Sequence, residues 1–485
     1  MVWVLAVSPV LGIIAMAMSL THLAPIATSV LFDDGTTRQF ALSMAVNFAA
    51  GFLLWFGTRK HKRELSLREG ILLVVFVWTG GAVFAAVPLL LGIPGLSFTD
   101  AYFEAASGLT ATGATVLSGL DQLPPSLNLW RAELQWLGGM GVIVLVVAVL
   151  PMLGVGGRQI TKSEIPGPMK EDQLTPRLTQ TAKGLWLIYA ALTLACILSY
   201  RVAGMNWMDA LIHGFTTLSL GGFSSHDASL GYFDSPAIEA IAIFFMLLAG
   251  INFATHFMVW RGKSLSPYHR DTEVRYFLLV VVISVLGIAL FLWLSGVYPQ
   301  FLTALRYAAF NIVSVGTTTG YSTADYNFWP VFAPLWVLFL GTFLSCSGST
   351  GGGIKMMRAI ILYRQVYREF KKLAHPNAMV PLKVAGQVVP NQVVFAVLAF
   401  FFMWVVMLVS MTLILGWSGL DAMTAFSAVV ASLSNIGPGL HQVGPATNFA
   451  VLSDFQTWVC TFAMLLGRLE LFTFLIVFTP AFWRK

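Results

Sequence analysis

The chain has 485 residues, of which 57% are hydrophobic and 10% charged, with a formal net charge of +6 and a mean hydropathy of +0.78. A soluble chain of this length would carry roughly a quarter charged residues, so the composition excludes an ordinary soluble domain and points to a polytopic helical membrane protein. The basic excess falls in loops between apolar runs and needs no nucleic acid to explain it.

Ten crossings are predicted, near 2–31, 39–57, 70–92, 127–153, 184–203, 236–260, 276–298, 331–363, 391–416 and 450–482. The first opens "MVWVLAVSPVLGII" without a basic leader, so it reads as a retained span and not as a signal peptide. Basic residues cluster at Arg59, Lys60, Lys62, Arg63 and Arg68, then from Arg158 to Lys183, from Arg261 to Arg275, from Lys355 to Lys383, and at Arg484 and Lys485. The alternate loops carry Asp33, Asp34, Asp100, Glu104, Asp121, Asp209, Asp227, Asp234, Asp325, Asp421 and Asp454. The positive-inside rule places the basic loops and both termini in the cytoplasm. Cys196, Cys346 and Cys460 lie far apart in apolar runs and form neither a disulfide framework nor a metal motif.

Four acidic-side loops share one pattern, a short amphipathic segment followed by a polar, glycine-bearing stretch. They read "DAYFEAASGLTATGATVL", "DALIHGFTTLSLGGFSS", "TALRYAAFNIVSVGTTTGYST" and "DAMTAFSAVVASLSNIGPG". Their anchoring glycines, Gly113, Gly222, Gly320 and Gly437, are spaced about 100 residues apart. The repeated unit is span, short helix, polar stretch, span. It predicts an all-α membrane protein with four such units around a central pore, preceded by two extra helices. The boundaries are 1–60 for the helix pair and 61–157, 158–262, 263–375 and 376–485 for the repeats.

Irregular backbone at membrane depth is tolerated only where it is buried in protein or lines a water-filled cavity. Four polar stretches around one axis would form a constriction where carbonyl oxygens replace a cation's hydration shell. Glycine supplies the positive φ that such a backbone needs. Three residues before each glycine stands a hydroxyl, Thr110, Ser219, Thr317 or Ser434, which would form an inner oxygen ring. Carbonyls of Ala111 and Thr112, Leu220 and Gly221, Thr318 and Thr319, and Asn435 and Ile436 would form the middle rings. The acidic outer loops would concentrate cations. One such stretch alone would read as an ordinary polar loop; four with the same hydroxyl-x-x-Gly ending favour a filter.

The fourfold unit, the two leading spans and the stretches "GLTATGATVL", "GTTTGYST" and "SNIGPG" resemble the Trk/Ktr/HKT superfamily of potassium transporters, and within it the TrkH family. The resemblance covers essentially the whole chain. It implies a K⁺-selective pore made by one polypeptide in a bacterial inner membrane, a homodimer, and a cytosolic nucleotide-binding regulatory partner, TrkA. K⁺ is then the transported ion, with no organic cofactor in this chain. In the superfamily, glycine at every filter position goes with K⁺ selectivity, and all four positions here are glycine. The fourth stretch, "SNIGPG", departs most from the threonine-rich pattern.

The eighth crossing is too long for one ordinary span, and "GTFLSCSGSTGGGIK" fills its middle. Glycine costs about 1 kcal/mol per residue in a helix relative to alanine, which predicts a break there. Gly141, Gly250 and Gly348 lie at matching depth, and only the third is expected to open into a loop. That loop, Gly348, Ser349, Thr350, Gly351, Gly352 and Gly353, reads as a gate below the filter, in agreement with the intramembrane gating loop that the resemblance implies; the alternative is a break that permits close packing. Arg468, in "LLGRLELF", is an intramembrane charge at the same depth. It would raise the barrier to cations or cap loop carbonyls.

Seven basic residues between Lys355 and Lys383, against Glu369 alone, form a candidate docking surface, although positive-inside topology accounts for most of them. His213 and His256 are open between packing and vestibule roles. A coupled H⁺ or Na⁺ symporter is the rival reading. An intramembrane serine hydrolase built on "CSGSTGGG" is the remote one.

Overall fold

The computed structural model describes residues 2–61, 63, 65–144 and 178–484. The predicted boundary between 157 and 158, the end of the crossing predicted at 127–153, and the basic stretch from Arg158 to 177 lie outside the described residues. Among the described residues, six helices are long and apolar enough to cross a membrane: Trp3–Phe32, Thr37–His61, Arg68–Gly92, Ala182–Val202, Thr272–Leu294 and Asn391–Trp417. The first two are the extra N-terminal pair.

Each repeat carries a short helix on the side of the acidic loops: Phe98–Leu109, Trp207–Leu218, Phe301–Gly316 and Ala422–Leu433. Three of them start from a side-chain cap. Ser97, Asn206 and Asp421 accept from the backbone N–H of Asp100, Asp209 and Thr424, which satisfies one orphan donor of the first turn. The helices are amphipathic and largely buried in protein; in the first, every residue from Ala101 to Leu109 is buried.

Two crossings predicted as continuous are broken, and the eighth breaks where its glycines predicted. That at 236–260 is two helices, Pro236–Ala249 and Phe253–Gly262, bent by 93°. That at 450–482 is bent by 115° between Asp454–Arg468 and Leu471–Phe478. That at 331–363 is a helix ending at Gly341, a loop, and a second helix Met356–Ala374. The expectation that only the third repeat opens is therefore corrected: the second and fourth inner spans also break at matching depth. At Gly250 the reason is local. Asn252 caps the following helix by accepting from Ala254 N at 2.8 Å. In the fourth span Leu469 caps the end of the helix, and Glu470, at φ 56° and ψ 128°, turns the chain into the next helix. The first repeat's helix, Pro125–Val144, runs unbroken through Gly141.

The two ends of the chain meet. Trp3 stacks on Trp483 with centroids 5.9 Å apart, and Arg68 donates to the carbonyl of Phe482 at 3.2 Å. The basic loop after the second span therefore lies on the same face as both termini. All three cysteines are buried and free.

Candidate ion pathway

The short helices end in four copies of one hydrogen-bond ladder. In the first repeat, N–H groups of Thr110, Ala111 and Thr112 donate to the carbonyls of Ala106, Gly108 and Ser107 at 2.8–2.9 Å. The second pairs Ser219, Leu220 and Gly221 with Phe215, Thr217 and Thr216. The third pairs Thr317, Thr318 and Thr319 with Val313, Val315 and Ser314, and the fourth pairs Ser434, Asn435 and Ile436 with Val430, Ser432 and Ala431. The donors of each stretch are thus turned back onto their own helix. Ala111, Leu220, Thr318 and Asn435 all have φ between 49° and 66°, and the four anchoring glycines between 76° and 98°. A non-glycine residue in this region is uncommon; four at one repeated position mark a backbone held in place by its surroundings.

The four stretches close into a ring. A Cβ on Gly113 would fall less than 3.0 Å from Gly221 O, one on Gly222 from Thr319 O, one on Gly320 from Ile436 O, and one on Gly437 from Thr112 O. Each glycine abuts the carbonyl one residue before the next repeat's glycine, in the order one, two, three, four and back to one. A polar cavity of about 80 Å³ on the acidic-loop side has all four glycines in its wall.

Among the predicted oxygens, Thr110 Oγ1 and Thr317 Oγ1 donate to Ala106 O and Val313 O at 2.7 Å, which leaves their lone pairs as acceptors. Ser434 Oγ is buried with no partner among the described residues. Asn435, the divergent member, ties the fourth stretch to the first: its Nδ2 donates to Thr112 Oγ1 at 2.9 Å and to Met464 O at 3.0 Å. Gly221 O accepts from Gln135 Nε2 at 2.7 Å, and Gln135 Oε1 accepts from Phe223 N at 3.1 Å. Sequence reasoning missed Gln135; an amide inside an apolar span was its one signal. Tyr321, next to Gly320, donates its hydroxyl to His213 O at 3.2 Å and contacts Thr216 and Thr217. It braces the third stretch against the second.

Arg131 and Glu104 form a buried ion pair at 2.8 Å behind the first stretch. Glu104 also accepts from Thr115 Oγ1 and Val116 N, and Arg131 donates to Ser224 O at 3.1 Å. The pair therefore anchors the exits of two stretches. Breaking one side of such a pair leaves an uncompensated buried charge. Arg131→Met is expected to lower stability by about 3–5 kcal/mol, read as thermal unfolding in detergent, and Glu104→Gln in the same chain should recover a large part of the loss.

The loop between Gly341 and Met356 lies directly under the inner ends of the stretches. Thr350 Oγ1 donates to Leu218 O at 3.0 Å, Gly352 N to Thr318 Oγ1 at 2.8 Å, and Ser345 Oγ to Thr317 O at 3.2 Å. A Cβ on Gly352 would fall under 3.0 Å from Ser434 O, so only glycine allows this approach. Ser349 Oγ donates to Cys346 O at 2.6 Å, Gly348 O accepts from Phe253 N at 3.1 Å, and Gly351 O accepts from Lys355 Nζ. Gly353 turns the chain back at φ 76°. Glu273, which sequence reasoning did not single out, joins both feet of the loop: its Oε1 accepts from Ser347 N at 2.6 Å and Met357 N at 3.0 Å.

Arg468 is buried, as an intramembrane arginine must be, and its fork caps two carbonyls. Nη1 donates to Thr350 O at 2.9 Å and Nη2 to Gly138 O at 3.1 Å. It thus links the loop of the third repeat to the inner helix of the first. Glu470 pairs instead with Arg358 at 2.9 Å. Of the seven basic residues from Lys355 to Lys383, Arg358 and Arg368 are buried, which shrinks the predicted docking surface. His256 bonds Tyr268 Oη and Leu248 O and belongs to the basic-side hinge; His213 lies behind the second stretch, against Ser224 Oγ.

On the acidic side the first and second loops clamp each other. Asp227 accepts from Gly119 N and Leu120 N at 2.9 and 3.2 Å, and Asp121 accepts from His226 Nδ1 at 2.5 Å. His226 Nε2 lies 3.3 Å from Asp209 Oδ1, an ion-pair contact and not an aligned hydrogen bond. Burial pulls the His226 pKa down, but its contacts with Asp209 and Asp121 outweigh this and raise it above 6.5. A raised histidine pKa stabilises the fold fully below 6.5, and the contribution is lost as pH rises through the raised value. Melting temperature should therefore fall from pH 6 to pH 8, and His226→Gln should remove that part of the fall.

A family model described as "TrkH: Cation transport protein" matches residues 36–485. A Trk system potassium uptake protein TrkH from Halomonas elongata is 45% identical over 478 residues, covering 98% of each chain. The protein of that name from Escherichia coli is 44% identical over 482 residues, covering 99% of each. The crystal structure of the potassium transporter TrkH from Vibrio parahaemolyticus superposes with a TM-score of 0.91 at 42% identity, covering 99% of both chains. With its ring of four repeated stretches and nearly end-to-end likeness to these proteins, the chain belongs to the TrkH family of cation transport proteins.

Proposed function

We propose that this chain takes up K⁺ through a pore whose selectivity filter is the ring of four stretches, Thr110–Gly113, Ser219–Gly222, Thr317–Gly320 and Ser434–Gly437. One observation carries the reading: at all four positions the backbone donors are bound to the short helix, and each glycine abuts a carbonyl of the next stretch. Such a ring offers a cation oxygens without demanding rearrangement. The short helices also point their negative C-terminal ends toward it. The relatives named above are potassium uptake proteins, which supports K⁺ as the cargo.

The loop from Gly348 to Gly353 is the gate in this reading, and Arg468 its latch. The basic face, with both termini, is cytoplasmic in a bacterial inner membrane. The name "Trk system" given to the relatives fits a pore that works with other components; we take these to be a second copy of this chain and a cytosolic nucleotide-binding ring of the TrkA type. The unit boundaries at 1–60, 61–157, 158–262, 263–375 and 376–485 belong to the same proposal. A hydrolase is disfavoured because Ser349 gives its proton to Cys346 O and the family is one of transport proteins.

The test is a reversal-potential measurement in proteoliposomes. A pore follows the K⁺ gradient alone. A shift with the H⁺ or Na⁺ gradient would replace the pore with a coupled symporter, and no current at all would remove both.

A further inference from the structure

We infer that the basic end of the helix Thr272–Leu294 holds the phosphate of an anionic membrane lipid. A cavity of about 460 Å³ lies there, lined by Thr272, Arg275, Tyr276 and Leu279 of this helix, by Arg364 of the helix Met356–Ala374, and by Gly386 of a hairpin turn. Two guanidinium groups face one space; neither makes a close ion pair with a carboxylate among the described residues, although Asp271 lies near enough to Arg275 for the two charges to interact. Arg275 reaches only Thr272 Oγ1, at 3.5 Å, and Arg364 donates to the backbone carbonyl of Lys383. The nearby acids make their hydrogen bonds elsewhere, though Asp271 still acts on Arg275 through its charge. Asp271 accepts from Thr255 Oγ1 and the N–H groups of Glu273 and Val274, and Glu273 holds the two feet of the gate loop. An anion entering this space would therefore meet two fixed positive charges.

The rest of the surface identifies the kind of anion. Below the arginines, Tyr276, Leu279, Ile283 and Leu286 are all exposed, and their spacing puts them on one face of the helix. That stripe runs from the pocket down a helix apolar enough to cross a membrane. A free phosphate or a nucleotide would make no use of it, whereas a phospholipid would lay an acyl chain along it. Basic pockets at the cytoplasmic ends of transmembrane helices suit anionic headgroups, and arginine forks suit phosphate oxygens. A tyrosine at the junction is in keeping with an interfacial position. The bound lipid would bridge the helix that carries Glu273 to the helix that leaves the gate loop, so it would steady the loop's two feet.

Native mass spectrometry of the full-length protein in detergent tests this, with phosphatidylglycerol and phosphatidylcholine as probes. Phosphatidylglycerol should be retained at concentrations where phosphatidylcholine is not, and should raise the melting temperature. Arg275→Gln, which leaves the Arg364 contact with the hairpin intact, should weaken phosphatidylglycerol retention about tenfold or more, as expected for loss of a charged hydrogen-bonding partner. Arg275→Lys should restore part of it. Equal retention of the two lipids by wild type, or equal retention of phosphatidylglycerol by wild type and Arg275→Gln, would overturn the inference. Displacement of phosphatidylglycerol by millimolar inorganic phosphate would also overturn it, in favour of a site for free phosphate.

Discussion

Gly113→Ser is expected to collapse the preference for K⁺ over Na⁺ by at least tenfold, measured as a permeability ratio under bi-ionic conditions. Two effects act together. Gly113 has φ 85°, where a residue with a Cβ is strained by roughly 1–3 kcal/mol. The new Cβ would also fall under 3.0 Å from Gly221 O, so the neighbouring carbonyl must move. Each 1.36 kcal/mol of altered barrier is about tenfold in rate, and a displaced carbonyl alters the barrier for the ion whose hydration shell it replaces. The geometry also predicts an order. On Gly437 the Cβ would lie 2.9 Å from Thr112 O, the mildest of the four clashes, while Gly113, Gly222 and Gly320 approach closer. Serine at position 437 should therefore damage selectivity least. Unchanged ratios for serine at all four positions, in folded protein, would remove the ring from the role of filter.

The ring was legible in the sequence because it is built locally and repeated. Each stretch needs only a short capped helix, a hydroxyl and a glycine three residues later, and the fourfold recurrence separates that pattern from chance. The loop was legible for a similar reason: glycine crowding between Gly341 and Gly353 opposes a helix wherever it occurs. The other two breaks were hidden. At the break in the fourth span a single glycine, Gly467, stands just before the turn, yet Gly141 sits in a helix that runs on, and Glu470 takes its positive φ while paired with Arg358, more than 100 residues away in sequence. At Gly250 a single glycine at matching depth looked the same as Gly141, which stays helical. Glu273 was unreadable for the same reason as Gln135. Both act on backbone groups far along the chain, and sequence spacing says nothing about which distant N–H or carbonyl a buried side chain will meet. The intramembrane position of Arg468 announced that it needs partners, but naming Thr350 O and Gly138 O required the fold.

Arg468→Ala is expected to raise K⁺ flux through wild-type-like filters by about tenfold or more. In the proposed gate, Arg468 would act through two separable parts. The first is charge: at about 4 Å and an effective ε near 20, like charges repel by roughly 4 kcal/mol, enough to slow a passing cation by orders of magnitude. The second is the fork, which holds Thr350 O on the loop and Gly138 O on the first repeat's inner helix. Each hydrogen bond from a charged group contributes about 1.5–3 kcal/mol, so losing both frees the loop from one of its neighbours while Leu218 O and Thr318 Oγ1 still hold the other side. Arg468→Lys separates the parts, since an ammonium keeps the charge but cannot span the two carbonyls as a planar fork does. If the lysine variant stays closed and the alanine variant opens, the charge is the latch. If both open, the bridge between loop and helix is. Selectivity should survive in either case, because the ring of glycines lies beyond the loop and touches Arg468 nowhere. A variant lacking Gly348 to Gly352 gives the ceiling: alanine at 468 should approach but not exceed its flux. If Arg468→Ala conducts no faster than wild type while melting cooperatively, the arginine only fastens the loop in place, and the barrier lies in the loop's own backbone packed against Ser434 O and Thr317 O.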